Sequence, residues 1–410
     1  MKISKKQSFS HFRIAVFTHD TFGLGHIRRC LHIMNALSER SPQSAMLLIT
    51  GSPVVHTLSS LPPNADFVKI PTIVKTGASG SQPPHLPIAL PEVQLLRERL
   101  IREAVSSFQP DIFLVDNFPL GAQRELLPIL QELRRAGTRT ILGLRDIVDA
   151  PSVVCTDWGR QGMYDILERY YDKILVYGIK EVLNVSEAYG LTPRIASKVD
   201  YCGYVTEQSQ KRRPAGEIKK ELGIKGKFII VTGGGGGDAF PLLQNFLAAT
   251  RYLPHISALV LTGPLMGSND LNKLKAQVNG RAHIIMKEFV KDFSSYLAAA
   301  DAVVSMCGYN MAAEILIHKK PAVVCPRTWR FGEHVKGNQA GLEWEQILRA
   351  RSLAKAGLVE LIEYEALKPR TLASRINRLL ESPRRSKGSR VNVQGLHTAV
   401  QHILSLADQR

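Results

Sequence analysis

The sequence predicts an α/β protein made of two doubly wound parallel-sheet domains facing a cleft. Three observations predict it. The chain has 410 residues, and single hydrophobic cores stop growing at about 250–300. Short apolar, β-rich runs alternate with stretches of helical spacing almost throughout, which is the rhythm of strand–helix–strand units. That rhythm breaks once, at 207–216 (EQSQKRRPAG), a polar, basic stretch with Pro and Gly, and then starts again. The expected boundaries are 1–205 for the first domain, 206–385 for the second, and 386–410 for a basic segment and closing helix whose packing partner the pattern leaves open.

In the first half, 12–18 is an apolar run expected as a strand. Ile27, Leu31, Met34 and Leu37 then recur at helical spacing. A second strand is expected at 46–50. The Gly-, Ser- and Pro-rich stretch 75–91 reads as a mobile loop at the cleft. Val93, Leu96, Leu100, Ala104 and Phe108 mark a helix opening beside Pro91, a residue favoured in the first helical turn. Further strands are expected at 112–115, 140–143 and 174–176, with 201–205 closing the half. Past the linker, strands are expected at 228–231, 258–261, 283–285, 302–304 and 322–324. No internal repeat appears beyond a run of five glycines.

Hydrophobic content of 44% and charged content of 22% are those of a globular chain. No apolar run reaches the roughly 18 residues of a membrane span. The opening MKISKKQSFSHF has no apolar centre, so no signal peptide is expected. The five cysteines are scattered without a C-x-x-C pair, which suggests free thiols in a reducing, cytoplasmic setting. Net charge is +17. It clusters at Lys211-Arg212-Arg213, at Lys219-Lys220 and across 384–390 (RRSKGSR). No nucleic-acid-binding signature accompanies it, so nucleic acid is not an expected partner. Solvated loop charge explains these clusters as well as an anionic partner does. The four basic residues of 384–390 would enrich the chain on an anionic membrane by at most roughly a thousandfold, enough for reversible peripheral contact.

Two glycine-rich loops carry candidate chemistry. The first follows the first strand and contains Asp20, Gly23, Gly25 and His26. Its glycines permit a tight turn and close approach of a ligand. Arg28 stands where a dinucleotide fingerprint needs a third glycine. His26, at the expected helix start, is a candidate general base; an inert cap is the alternative. The second loop is Gly233-Gly234-Gly235-Gly236-Gly237, again between a strand and a helix. Successive N–H groups at a helix start form an anion nest. No Lys-Ser/Thr follows, which argues against a nucleoside-triphosphate hydrolysis loop. Asp116-Asn117 and Arg145-Asp146 close strands at the carboxyl edge, where open α/β sheets bind ligands; a turn cap and a local ion pair are their structural alternatives.

The richest segment is 289–340. A strand runs into Cys307-Gly308-Tyr309-Asn310, a helix carries Glu314, and a second strand leads to a loop with Arg327, Arg330, Glu333 and His334. A Gly/Asn turn at a helix start offers N–H groups to a phosphate, and a carboxylate can accept from two ribose hydroxyls.

This segment resembles the C-terminal half of family 28 glycosyltransferases, which include the peptidoglycan N-acetylglucosaminyltransferase and plant galactolipid synthases. Gly23-Leu24-Gly25-His26 is similar to their N-terminal loop. The HD-x-x-GLGH-x-R opening and PR-x-R loop look like those of a bacterial group of predicted glycosyltransferases. The resemblance implies a GT-B fold over nearly the whole chain and a nucleotide-diphosphate sugar, UDP-linked, as co-substrate, with no metal or other cofactor. It implies that Glu314 binds the ribose, Phe289 and Val290 flank the base, and Gly233–Gly236 with Gly308, Tyr309 and Asn310 line the pyrophosphate. Glu333 and His334 would contact the donor sugar; His334 stands where the peptidoglycan enzyme has glutamine. His26, or failing that Asp116, would deprotonate an acceptor hydroxyl in an inverting transfer. Asp20, Gly23, Gly25, Asn117 and Arg145 would lie on the acceptor side. The acceptor itself is open: a lipid-linked species or a small glycoside. The helix after Pro91, with Arg97, Arg99 and Arg102 beside Leu95, Leu96 and Leu100, would suit a membrane surface at the inner face; packing on a sheet with its arginines in water is the more common alternative. The alternatives are a UDP-sugar 2-epimerase on the same fold and a non-catalytic nucleotide-sugar-binding protein.

Overall fold

The computed structural model describes residues 11–18, 25–52, 55, 61–76, 80–206, 212–327, 329–330, 333–334, 344–381, 392 and 394–408. The chain divides into two compact units, Met1–Glu207 with Gln394–Arg410, and Gln208–Val393.

The strands of the first unit are β1 (Arg13–Thr18), β2 (Ala45–Thr50), β3 (Ala65–Lys69), β4 (Val74–Thr76), β5 (Gly80–Gln82), β6 (Ile112–Asp116), β7 (Arg139–Arg145), β8 (Lys173–Tyr177) and β9 (Val199–Tyr201). Seven of them form one parallel sheet in the order β3-β2-β1-β6-β7-β8-β9. Both faces of a parallel sheet are covered, so its central strands are apolar on both sides: Ile14 to Phe17 and Ile112 to Val115 are all buried. The chain leaves β1 on one side for β2 and later returns on its other side as β6. The strand order therefore reverses between β1 and β6, the place where doubly wound sheets bind ligands.

The stretch expected as an irregular loop at 75–91 instead holds part of an antiparallel ribbon of β4 and β5, with 77–79 outside the described residues. The helix Leu90–Phe108 opens on Ala89 with Pro91 in its first turn. Arg97, expected on an outer basic face, is buried inside. It pairs with Glu125 at 2.7 Å and donates to the Pro71 carbonyl oxygen. Its four-residue spacing from Val93 and Ile101 puts it on the helix's core face. Leu95, Leu96, Leu100, Arg99 and Arg102 stay exposed.

The closing helix, Gly395–Ala407, belongs to this first unit. It packs on the helix Gly25–Arg40 and on β6, β7 and β8, burying Val400, Ile403 and Leu404. Gly395 begins it because a Cβ there would overlap the Tyr204 carbonyl.

The second unit contributes β10 (Lys227–Thr232), β11 (Ile256–Leu261), β12 (Ile284–Lys287), β13 (Ala302–Ser305), β14 (Ala322–Val324), β15 (Trp329–Arg330), β16 (Glu333–His334) and β17 (Glu360–Leu361). The main sheet is again parallel, in the order β12-β11-β10-β13-β14-β17. Its order reverses between β10 and β13. One register row crosses its carboxyl edge: Lys287, Leu261, Thr232, Ser305, Val324 and Leu361.

Candidate functional site

Each unit carries polar chemistry at its reversal point. In the first, the helix Gly25–Arg40 begins beside the end of β1 and presents His26 and Arg29, three residues apart and so on one face. The neighbouring β6 ends at Asp116. The three side chains meet. His26 Nδ1 lies 2.5 Å from Asp116 Oδ2. Arg29 donates to Asp116 Oδ1 from Nη2 at 2.6 Å and from Nε at 3.0 Å. All three are buried, and the guanidinium of Arg29 stacks 5.2 Å from the Tyr177 ring centroid. Arg29 is the member that sequence reasoning missed; its i, i+3 relation to His26 was the available signal.

Burial disfavours an ionised Asp116, but Arg29 and His26 outweigh it and hold the carboxyl at about 2. Burial pushes His26 below the usual histidine value; Asp116 opposes this, and Arg145 and Arg29 add to it. At neutral pH the triad is therefore a carboxylate, a guanidinium and a neutral imidazole. Arg29 Nη2 also lies 3.1 Å from His26 Nδ1, and that contact would require the opposite tautomer from the Asp116 contact. The shorter distance and the ionised carboxylate decide for Nδ1–H donating to Asp116, which leaves Nε2 as the basic nitrogen of the ring.

Asn117 follows in a left-handed conformation, φ 64°. Its Oδ1 accepts from the Arg145 N–H at 3.3 Å. Its Nδ2 is buried and meets no acceptor among the described residues. Asp146 accepts from Tyr204 Oη and from the Ile147 N–H. Gly25 is the first residue of the helix; Asp20 and Gly23 lie outside the described residues.

In the second unit the glycine run leaves β10 one residue beyond the register row. Gly234 and Gly236 have φ of 76° and 96°, which only glycine adopts without strain. A Cβ on Gly236 would overlap the Thr262 carbonyl, and one on Gly233 would overlap Ala239. The Gly234 N–H donates to Thr232 Oγ1 at 3.0 Å. The N–H groups of Gly235, Gly236 and Gly237 meet no acceptor among the described residues, and Gly235 and Gly237 are exposed. The helix Phe240–Ala249 follows. Asp238 pairs with Arg327.

Across the reversal point, β13 ends at Ser305. Cys307 takes a left-handed φ of 63°, and its carbonyl accepts from the buried Arg349 at 3.1 Å. Gly308 caps the helix Tyr309–Ile317. The Tyr309 side chain is buried, its ring 5.8 Å from the Arg349 guanidinium, so only its backbone is available to a ligand at the helix start. Asn310 is exposed and Glu314 half-buried one turn later. Phe289, 59% exposed, stands two residues beyond the row at β12, with Val290 half-buried beside it. Lys287 and Ser305 are three strands apart in that row, about 14 Å. The backbones of Glu333 and His334 form β16, paired antiparallel with β15; their side chains lie outside the described residues.

Among the described residues, no group of three or more His, Cys, Asp or Glu side chains could hold a metal ion. No described helix is long and apolar enough to cross a membrane.

Residues 228–403 match the family model for the glycosyltransferase family 28 C-terminal domain. The matched segment is less than half of the chain. It contains the glycine run, Phe289, Gly308 and Glu314. Curated relatives include the UDP-N-acetylglucosamine–N-acetylmuramyl-(pentapeptide) pyrophosphoryl-undecaprenol N-acetylglucosamine transferase of Anaeromyxobacter sp. strain Fw109-5. It is 34% identical over 100 residues, 24% of this chain and 23% of that protein. The enzyme of the same name from Geobacillus kaustophilus is 27% identical over 188 residues, 46% of this chain and 48% of that one. The aligned segments thus span from about a quarter to about half of these relatives. Among solved structures, MurG of Acinetobacter baumannii superposes with a TM-score of 0.60 at 14% identity, over 97% of this chain and 100% of that chain. A UDP-glucosyltransferase from Polygonum tinctorium superposes at 0.66 and 13% identity, over 98% and 100%. The fold is GT-B, as the family resemblance implies.

Proposed function

We propose that this chain is an inverting glycosyltransferase that moves a sugar from a UDP-sugar to an acceptor hydroxyl. The single observation carrying this is the composition of the family 28 domain's reversal point. Open glycine N–H groups follow β10, a Gly-capped helix follows the adjacent β13, and a carboxylate lies one turn into that helix. Such a set matches a pyrophosphate and a ribose. Phe289 offers an exposed aromatic face to the base. The named relatives with UDP in their names favour UDP.

The acceptor oxygen forms a bond to the anomeric carbon while the bond from that carbon to the β-phosphate oxygen breaks. The electron pair goes to UDP, whose charge the loop N–H groups stabilise. The acceptor proton goes to His26 Nε2. Asp116 holds the imidazole tautomer and stabilises the imidazolium, as in other carboxylate–histidine pairs. With its carboxyl held at about 2, Asp116 is a poor base at neutral pH, so we assign it the positioning role. These groups supply the electrostatics without a metal. Asn117 Nδ2, buried without an acceptor among the described residues, is available to an acceptor oxygen.

For the acceptor we infer a lipid-linked species, met at the inner face of the membrane. Leu86, Ile88, Leu95, Leu96 and Leu100 are exposed on and before one helix of the first unit, with Arg99 and Arg102 also exposed there. Apolar side chains flanked by cations suit an anionic interface.

A thermal-shift screen of the full chain against UDP-, GDP-, dTDP- and ADP-sugars tests the donor assignment. UDP-sugars should raise the unfolding midpoint, and Glu314→Ala should remove that rise. An equal response to all four, or none to UDP-sugars, would overturn it.

A further inference from the structure

The ribose carboxylate has a structural partner of its own. His318 lies four residues after Glu314, at the end of the same helix, with its side chain only 2% exposed. Its Nε2 is 3.3 Å from Glu314 Oε2 and 3.0 Å from Ser294 Oγ. Ser294 sits in the first turn of the helix Phe293–Ala299, the element that follows Phe289 and Val290. Glu314 Oε1 accepts no hydrogen bond among the described residues, and the Glu314 side chain is 19% exposed. One carboxylate oxygen therefore faces a buried imidazole nitrogen at 3.3 Å, whose own hydrogen bond is to Ser294, and the other oxygen is open.

We propose that His318 is a positioning residue for donor recognition, fixing the Glu314 carboxylate toward the ribose and tying it to the segment that meets the base. This rests on the reading of Glu314 as the ribose contact. The chemistry is specific. A glutamate has three rotatable bonds, and binding a diol requires one arrangement of them, so a buried ring packed against the carboxylate that limits those arrangements beforehand lowers the ordering cost of binding. The hydrogen bond between Ser294 Oγ and His318 Nε2 holds the ring in place, with Nε2 beside the carboxylate oxygen. The Ser294 contact joins two helices that follow different strands, β12 and β13, so the base-side and ribose-side elements share one hydrogen-bonded node.

The test is UDP binding by calorimetry on the full chain, for His318→Ala, His318→Gln, Ser294→Ala, Glu314→Ala and the His318→Ala/Glu314→Ala pair. His318→Ala should weaken UDP about tenfold, the size expected when about 1.4 kcal/mol of positioning is lost. His318→Gln, which keeps an N–H donor, should recover most of that, and Ser294→Ala should cost a few-fold. In the Glu314→Ala background the His318 substitution should have no further effect, because there is no carboxylate left to position. In turnover, His318→Ala should raise the donor KM and leave kcat within about twofold. Should His318→Ala not fold, the Gln and Ser294 variants carry the comparison. A His318 effect that persists in the Glu314→Ala background would mean a merely structural role and overturn the proposal, as would unchanged UDP affinity in His318→Ala. If Glu314→Ala itself left UDP affinity unchanged, the ribose assignment would fall, and this inference with it.

Discussion

Asp116→Asn is the perturbation whose consequences are worked most fully from the structure. The carboxylate is buried and accepts from Arg29 at 2.6 and 3.0 Å and from His26 at 2.5 Å. Asparagine keeps the volume and one acceptor oxygen but leaves the Arg29 charge uncompensated inside the unit. Breaking a buried pair by removing one partner costs about 3–5 kcal/mol; the Tyr177 face at 5.2 Å remains, so about 3 kcal/mol is expected at pH 7. The effect should depend on pH. The folded carboxyl titrates at about 2 against a reference of 3.8, a depressed value. Its stabilisation, about 2 kcal/mol, is complete above the unfolded pKa and lost as pH falls through the folded one. About 1 kcal/mol should be gone by pH 3. Urea unfolding of wild type and variant at pH 7 and pH 3, followed by a probe of the first unit, measures both. The gap between them should narrow by about 1 kcal/mol on acidification. A gap below 1 kcal/mol at pH 7, or one that does not change with pH, would refute the ion-pair argument.

The remaining predictions concern the glycine loop, the closing helix and the pH profile. Gly236→Ala meets both a φ of 96° and the Thr262 carbonyl. It should cost the second unit about 2 kcal/mol or more and weaken UDP at least tenfold by calorimetry. Gly237→Ala, whose Cβ would find its nearest neighbours at 3.7 and 3.8 Å, should change unfolding by less than about 0.5 kcal/mol. Truncation after residue 393 removes the burial of Val400, Ile403 and Leu404, roughly 5–9 kcal/mol at about 1.5–3 per side chain. Circular dichroism should then show the first unit unfolded, because domain stability is of that same order. The acid limb of the kcat/KM profile should lie below pH 6.5, since the base must be neutral and burial lowers the His26 pKa. Asp116→Asn removes a group that raises that pKa, so its limb should move to still lower pH while kcat falls.

The fold was legible because both sheets are parallel and buried on two faces. Their strands read as apolar runs such as FIIV at 228–231 and AVV at 302–304, and the glycine loops mark their carboxyl ends. The elements not foreseen are those without that signal. β3 is an edge strand that is mostly half-exposed, and β17 has two residues. The ribbon of β4 and β5 carries only three residues a side. Some residues of the candidate site, such as His26 and Asp116, carry a signal in the sequence, but Arg29 was missed and the pairings were not readable. Asp116 comes 90 residues after His26, and only the crossing of strand order at β1 and β6 brings the two together. Arg97 reads as surface charge until Glu125 is placed beside it. His318 reads as an unremarkable helix end until Ser294 arrives from a different strand–helix connection.

The most direct measurement is proton NMR of a UDP-sugar incubated with the full chain and a bacterial lipid extract. Release of UDP one-for-one with a glycosylated acceptor of inverted anomeric configuration, abolished in His26→Ala, is the predicted result. Retained configuration, or an epimerised sugar with no UDP released, would contradict an inverting transferase.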